Sequence, residues 1–336
     1  MKNKPILIAL TVILIGSSKA LAQDAVFTQW ENMPLYFNSA LTGNFEGLLR
    51  LRANHRNQWA SLLKDNSYHT SAVSAEYKFS TGSVRKISFG ALAIQDKAGS
   101  LDFKNTTINF SSSVSQHLGN PNNLHHSIAI GLNVGLTTSK IDFENAQWPG
   151  GMPPTDINEK TNFTDVSVGL LWQYRSNTHF SFNLGSALHH LNRPNVSFSD
   201  SSVNKLYRRF NLHGHVEIPL VQKFSIVPSF LFSSQGPYEQ LLFGFNNRWY
   251  PKSLNPNFVQ LGFFAKSTNN YNGRYITIYV VSATVELNSF LAGFSFDRFQ
   301  EIESNAYEFS VGYRFRVHDS KGTAGKIGYS PAGITP

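Results

Sequence analysis

A two-residue alternation runs through most of this chain, and few folds can use it at such length. In the stretch 305–317, Tyr307, Phe309, Val311, Tyr313, Phe315 and Val317 fall on one face. Glu308, Ser310, Gly312, Arg314 and Arg316 fall on the other. Successive strand side chains point to opposite sides of a sheet, so this is a strand with one apolar and one polar face. The rhythm recurs at Ile128, Ile130, Leu132, Val134 and Leu136, and again at Val166, Val168, Leu170, Trp172 and Tyr174. It returns at Phe180, Phe182, Leu184 and Leu188, and at Phe290, Ala292, Phe294 and Phe296.

Such runs predict about fourteen strands, many of ten residues or more, where about 5–6 is usual in globular proteins. They lie near 47–59, 68–79, 86–98, 103–117, 126–142, 164–176, 178–192, 205–220, 224–235, 238–249, 257–268, 275–287, 289–299 and 305–317. A large sandwich or a lipocalin-like barrel also alternates. Composition argues against both. The chain has 27 Phe, 13 Tyr and 5 Trp, and only 15% of its residues are charged; about 25% is normal for a soluble domain. Long strands with bulky aromatic faces opposite small, polar ones fit a membrane barrel, apolar outside and polar inside. Lipid does not tolerate open sheet edges, so the sheet must close. The expected fold is all-β, a closed antiparallel transmembrane β-barrel.

An even strand number puts the start of the first strand and the end of the last on one side. The longest connectors, 143–163 and 193–204, follow the fifth and seventh strands, whereas the turns after the sixth, eighth and twelfth are short. Long loops outside and short turns inside are the expected asymmetry, with both termini periplasmic. Trp59, Trp172 with Tyr174, and Trp249 with Tyr250 lie at strand ends and read as an interfacial girdle.

The chain opens with two lysines, an apolar run from Ile6 to Ile15, and Ala20-Leu21-Ala22. That is a secretory leader over 1–22, too short for a membrane span. No cysteine occurs, which excludes a lipoprotein anchor, a disulfide framework and a thiolate zinc site. With Lys2, Lys4 and Lys19 removed, 26 basic residues face 21 acidic ones, in no basic block that would track nucleic acid. The barrel is expected over 47–317 and a Gly/Ser/Pro-rich periplasmic tail over 318–336. The aromatic segment 23–46 has no clean period. Its backbone cannot face lipid, so it must pack in the barrel mouth, fill the lumen or bind another protein.

That segment and the strand after it resemble the opening of the PorP/SprF family of Bacteroidetes outer-membrane proteins. The matching positions are Gln23, Asp24, Phe27, Gln29, Pro34, Tyr36, Asn38, Ala40 and Gly43, then Arg56, Asn57, Gln58 and Trp59. Trp30 lies within the same run. His55 departs from the pattern, where an aromatic such as Tyr is common; beyond this region the likeness is one of length and rhythm. The resemblance implies a role in type IX secretion and gliding motility. It also implies periplasmic ring and motor components and a specific exported cargo protein as partners, besides outer-membrane lipid.

Other chemistry is weaker. His213, His215 and Glu217 share a strand face with residue types that suit zinc, but a polar lumen lining needs no metal. The pairs His125–His126 and His189–His190 sit near strand ends, where interfacial rings are ordinary. No G-x-S-x-G occurs, so no hydrolase nucleophile is indicated. Arg50, Arg52, Arg314 and Arg316 read as inward; they could make an anion-favouring lumen, but braces paired with Glu308, Asp297 or Glu217 are the favoured reading, because selectivity needs rings of one sign. No catalytic residue, metal site or cofactor is assigned. A solute-conducting porin is the alternative function.

Overall fold

The computed structural model describes residues 24–80, 84–99, 103–119, 125–143, 157–176, 180–221, 223–251, 258–269, 273–301 and 304–315. The expected leader 1–22, most of the connector 143–163, Arg316 and the expected tail 318–336 lie outside them. Fourteen strands form one closed barrel, each paired antiparallel with its sequence neighbours, and β1 pairs with β14. The strands are β1 Leu49–Gln58, β2 Tyr68–Ser80, β3 Arg85–Ala98, β4 Phe103–Leu118, β5 His126–Lys140, β6 Lys160–Arg175 and β7 Ser181–His189. They continue with β8 Arg209–Val221, β9 Phe224–Gln235, β10 Tyr238–Trp249, β11 Phe258–Asn269, β12 Tyr275–Leu287, β13 Phe290–Phe299 and β14 Asn305–Phe315. Every expected strand is present. β7 is shorter than its sequence pattern, because the chain turns at His190 with φ +58.

The pleat sorts the side chains as the alternation requires. On β5, Ile128, Ile130, Leu132, Val134 and Leu136 face outward and are exposed to the barrel's surroundings, while Ser127, Ala129, Asn133 and Thr137 face in and are buried. Trp172 and Trp249 face outward. Trp59 and Tyr250 do not complete that girdle. Trp59 leaves β1 with φ +65 and packs its ring at a tilt against Tyr68 and Phe299. Tyr250 turns in and donates its hydroxyl to Glu217 at 2.6 Å.

The connectors 141–159 and 190–208 define a long-loop end. The opposite, short-turn end holds the start of β1 and the end of β14, with Leu49 opposite Phe315. The barrel strands therefore begin and end on one side, as an even number demands. The segment ahead of them behaves differently. It leads from β1 up through the lumen, so Asp24 lies beside His190, Arg209 and Gln235 at the long-loop end. The two ends of the described chain lie at opposite mouths of the barrel, not on the single side that the strand count alone suggested.

Candidate functional site: a lumen plug built from the front of the chain

Residues 24–46 fill the lumen. A barrel of this size is wide enough to hold water unless something occupies it. Here Phe27, Trp30, Met33, Leu35, Tyr36 and Phe37 are buried against the inward side chains Ala72, Leu92, Ile94, Leu231, Leu242, Ile278, Val280, Phe299 and Ala306. Complete burial of one such side chain is worth roughly 1.5–3 kcal/mol, so the apolar contacts alone tie the segment strongly to the wall.

Local chemistry explains its course. Pro34 opens the helical turn Pro34–Phe37, where its missing N–H costs nothing. Asn38 ends that turn and caps the next, Ser39–Leu41, by accepting from the Ala40 N–H at 2.8 Å. Its amide nitrogen lies 2.9 Å from the Leu170 carbonyl, to which it donates, and 3.0 Å from His213 Nε2. Gly43 has φ +75, and a Cβ there would lie 1.9 Å from Ser88 Oγ. Its N–H donates to Glu76 at 3.0 Å.

The wall is carved to match. Gly131 on β5 and Gly169 on β6 face each other across the strand pair. A Cβ on Gly131 would come within 2.2 Å of the Ser39 backbone, and one on Gly169 within 1.9 Å of Asn38 Oδ1. Trp30 packs at 5.2 Å on the His213 ring and at 6.2 Å on His215. Glu217 accepts from Arg248 at 2.9 Å. His213 and His215 therefore support the plug, while Glu217 is held in the wall by Arg248 and Tyr250, and no metal-ligating group of three or more occurs among the described residues.

Two polar clamps hold the upper part. The first joins the plug to the barrel seam. Arg56 pairs with Asp297 at 2.7 Å and Glu308 at 3.1 Å, and donates to the Thr28 hydroxyl at 2.9 Å. Glu308 accepts from the backbone N–H of Thr28 and of Gln29. Gln29 donates back to the Glu308 carbonyl and accepts from Ser310 and Asn32. The second clamp lies at the long-loop end. Asp24 is 2.8 Å from both His190 and Arg209, and His190 Nδ1 is 3.0 Å from Asp165. Arg209 also donates to the Tyr36 hydroxyl at 2.8 Å and covers its ring at 4.5 Å. Tyr36 donates in turn to the Ala25 carbonyl.

Burial opposes the charge on Asp24, but His190 and Arg209 outweigh it and hold the carboxyl well below the usual range. Burial likewise disfavours the His190 cation, yet Asp24 and Asp165 push its pKa up to about 9. Burial pushes the Tyr36 phenol well up.

The residues singled out in the sequence divide cleanly. Phe27, Gln29, Trp30, Pro34, Tyr36, Asn38, Ala40 and Gly43 build the plug. Arg56 faces it from β1, and Gln58 accepts from the Arg56 guanidinium. Asn57, one residue out of step, points to the other face of β1. The histidine pair His189–His190 is not an interfacial ring. His189 contacts the Phe37 carbonyl and Asn211, and His190 belongs to the clamp. Two of the four arginines pair with carboxylates, though not with the expected ones: Arg50 with Glu76 and Arg314 with Glu286. Arg52 donates to the Glu31 carbonyl and to Asn32, and Arg316 lies outside the described residues.

Known proteins share this architecture. The monoaromatic hydrocarbon channel CymD superposes with a TM-score of 0.52 at 11% identity, over 88% of this chain and 96% of that one. The TodX monoaromatic hydrocarbon channel deltaS2 mutant gives 0.51 at 8% identity, over 85% and 94%. CdiB from Acinetobacter baumannii gives 0.47 at 9% identity over 79% of this chain, which spans only 60% of that structure. These likenesses concern the barrel fold alone. No curated protein matches the sequence. Residues 20–313 match the family described as "Type IX secretion system membrane protein PorP/SprF", so plug and barrel are covered together and the chain belongs to that family.

Proposed function

We propose that this protein is an outer-membrane component of the type IX secretion and gliding machinery of Bacteroidetes, and that it supports export or surface attachment of a specific cargo protein. It works through protein–protein contacts and not as a solute pore or an enzyme. Its long-loop end faces outward and its short-turn end faces periplasmic ring and motor components. The observation that carries this reading is the lumen filled from Phe27 to Gly43 by the chain's own buried residues. A barrel that spends its interior on a packed, hydrogen-bonded plug has only its two mouths and its rim to offer. The motif residues from Phe27 to Gly43, with Arg56 and Gln58, then serve to fix the shape of those mouths.

The test compares surface and secreted proteomes with and without the gene. Loss of one or two exported proteins at unchanged transcript level supports the reading and names the cargo. An unchanged export profile, together with steady single-channel conductance from the purified full-length protein, would return the function to a porin.

A further inference from the structure

The strand register lines up lysines on the outside of the barrel. Lys104 on β4 lies directly opposite Lys140 on β5, and Lys140 directly opposite Lys160 on β6. Lys97 carries the row onto β3, opposite Lys104. Partners across a strand pair point to one face, and along their strands these lysines share the parity of the exposed Ile108, Phe110, Leu136 and Leu170. The row therefore faces outward, at the long-loop end. Like charges directly opposite each other, with Cβ atoms about 4.5–5.5 Å apart, destabilise a sheet. Among the described residues no carboxylate pairs with Lys104, Lys140 or Lys160. Glu159, beside Lys160, falls on the other face of the pleat, and Asp142 lies past the end of β5.

Below the lysines the same registers give the next outward rungs: Thr106, Thr138 and Asn162, then Ile108, Leu136 and Thr164, then Phe110, Val134 and Val166. Polar gives way to apolar within two rungs. Two rungs are about 14 Å along a tilted strand, so the lysine backbone stands about 10 Å above Ile108 and Leu136, at the level of lipid headgroups and not of tails. At the foot of the row is a cleft of about 630 Å³ whose lining includes Leu136, Thr138, Asn162, Thr164, Asn192 and Asn195. Asn192 is locked beside β6, accepting from the Val166 N–H and donating to the Thr164 carbonyl. Thr138 donates to Asn162 at 2.7 Å across the cleft floor.

We propose that the outer face of β4–β6 at the long-loop end binds the phosphorylated sugar headgroup of an outer-leaflet glycolipid. Its phosphates bridge Lys104, Lys140 and Lys160, turning a repulsive row into charge-assisted contacts. The hydroxyls and amides of the cleft take the sugar, and the acyl chains lie down the apolar rungs. That continuity on the same three strands selects a lipid over free phosphate, which would use the lysines alone. The proposal rests on the long-loop end facing outward and not on the secretion role.

The test adds lipid to the purified full-length protein in detergent and follows retention by native mass spectrometry. The probes are diphosphorylated lipid A and the same lipid stripped of both phosphates, with inorganic phosphate as competitor. Lipid A is expected to be retained, and the stripped lipid to bind roughly tenfold more weakly or worse. Excess inorganic phosphate should not displace lipid A. The triple variant Lys104→Gln, Lys140→Gln, Lys160→Gln should lose a similar factor, whereas arginine at the same three positions should keep binding. Without lipid the glutamine variant should melt no lower than the native protein, because it only relieves repulsion; lost binding is then not lost fold. Lys223→Gln, at the short-turn end, should change nothing. Equal retention of the stripped lipid, or undiminished retention of lipid A by the glutamine variant, overturns the proposal. Displacement of lipid A by inorganic phosphate overturns it too, since the row would then be a site for the free anion.

Discussion

Arg56 and Glu308 lie directly opposite each other across the β1–β14 seam that closes the barrel, joined by an ion pair of 3.1 Å. Glu308 also accepts from the Thr28 and Gln29 N–H groups and from Asn54, so the seam and the plug share one carboxylate. Removing Arg56 leaves Asp297 and Glu308 buried, with Lys266 3.7 Å from Asp297. Arg56→Ala is expected to cost about 3–5 kcal/mol, the usual penalty for breaking one side of a buried pair. The double change Arg56→Met, Glu308→Gln should be milder than that single change. Urea unfolding in micelles, read by the gel shift between folded and unfolded barrel, checks both.

The glycine wall gives a second prediction. Gly131→Leu places a side chain where the Ser39 backbone runs. The barrel should still form, since the outward face is untouched, but the plug should be displaced. Residues 38–43 should then become accessible to protease, and the purified variant should conduct more than the native protein in planar bilayers. Leu132→Ala, next door and facing outward, should change neither readout.

The upper clamp should respond to alkali. The folded-state pKa of His190, about 9, lies above its ordinary value. Its contribution is therefore complete below about 6.5 and is lost as pH climbs through the folded value. Asp24 is depressed, so its share holds above about 4 and fails only in acid. The clamp is thus closed across the neutral range and opens first in alkali, with Asp165, Arg209 and His189 as the groups around it. Because the chain has no cysteine, Ala25→Cys accepts a single fluorophore. Its solvent quenching should rise with a midpoint near pH 9, matching the His190 value. His190→Gln should abolish that midpoint.

Two asparagines from the same motif should behave differently. Asn38→Ala removes a cap and the bond to the Leu170 carbonyl, and leaves buried partners unmet; a loss of about 1–3 kcal/mol follows. Asn57→Ala, on the opposite face of β1, should stay within about 0.5 kcal/mol of the native protein. Denaturant midpoints of the two variants decide it.

The barrel was legible because the two-residue period is physical: lipid on one side and lumen on the other demand it. The plug's seat was also written in the sequence, as breaks in that period. At 91–94, 241–243 and 278–281 apolar residues occupy both faces, and Leu92, Ile94, Leu242, Ile278 and Val280 are the inward ones that meet it. An inward leucine in a water-filled lumen has no purpose, so these marked a covered surface. The direction of the plug was not legible. Nothing in residues 23–46 says whether they approach β1 from below or descend to it from above; that is set by partners such as His190, Arg209 and Asp297, far along the chain. The two-residue period already puts His189 on the inward face of β7, opposite Leu184, but the direction of His190 was not legible, since a positive φ turns it inward as well and no pattern of residue types announces that.

The plug also bears on how the barrel is made. Thr28 bonds Asp297 across a sequence separation of 269 residues, and Ser310 bonds Gln29 across 281. Few contacts can be less local, and non-local contacts form late because the intervening chain must be ordered first. The earliest residues of the described chain have no complete seat until the last hairpin exists. Seating the plug and closing the ring then form a single late step. Until that step an assembling molecule holds an open sheet with an unfilled polar face, and a chain ending before β13 would have nothing to close around.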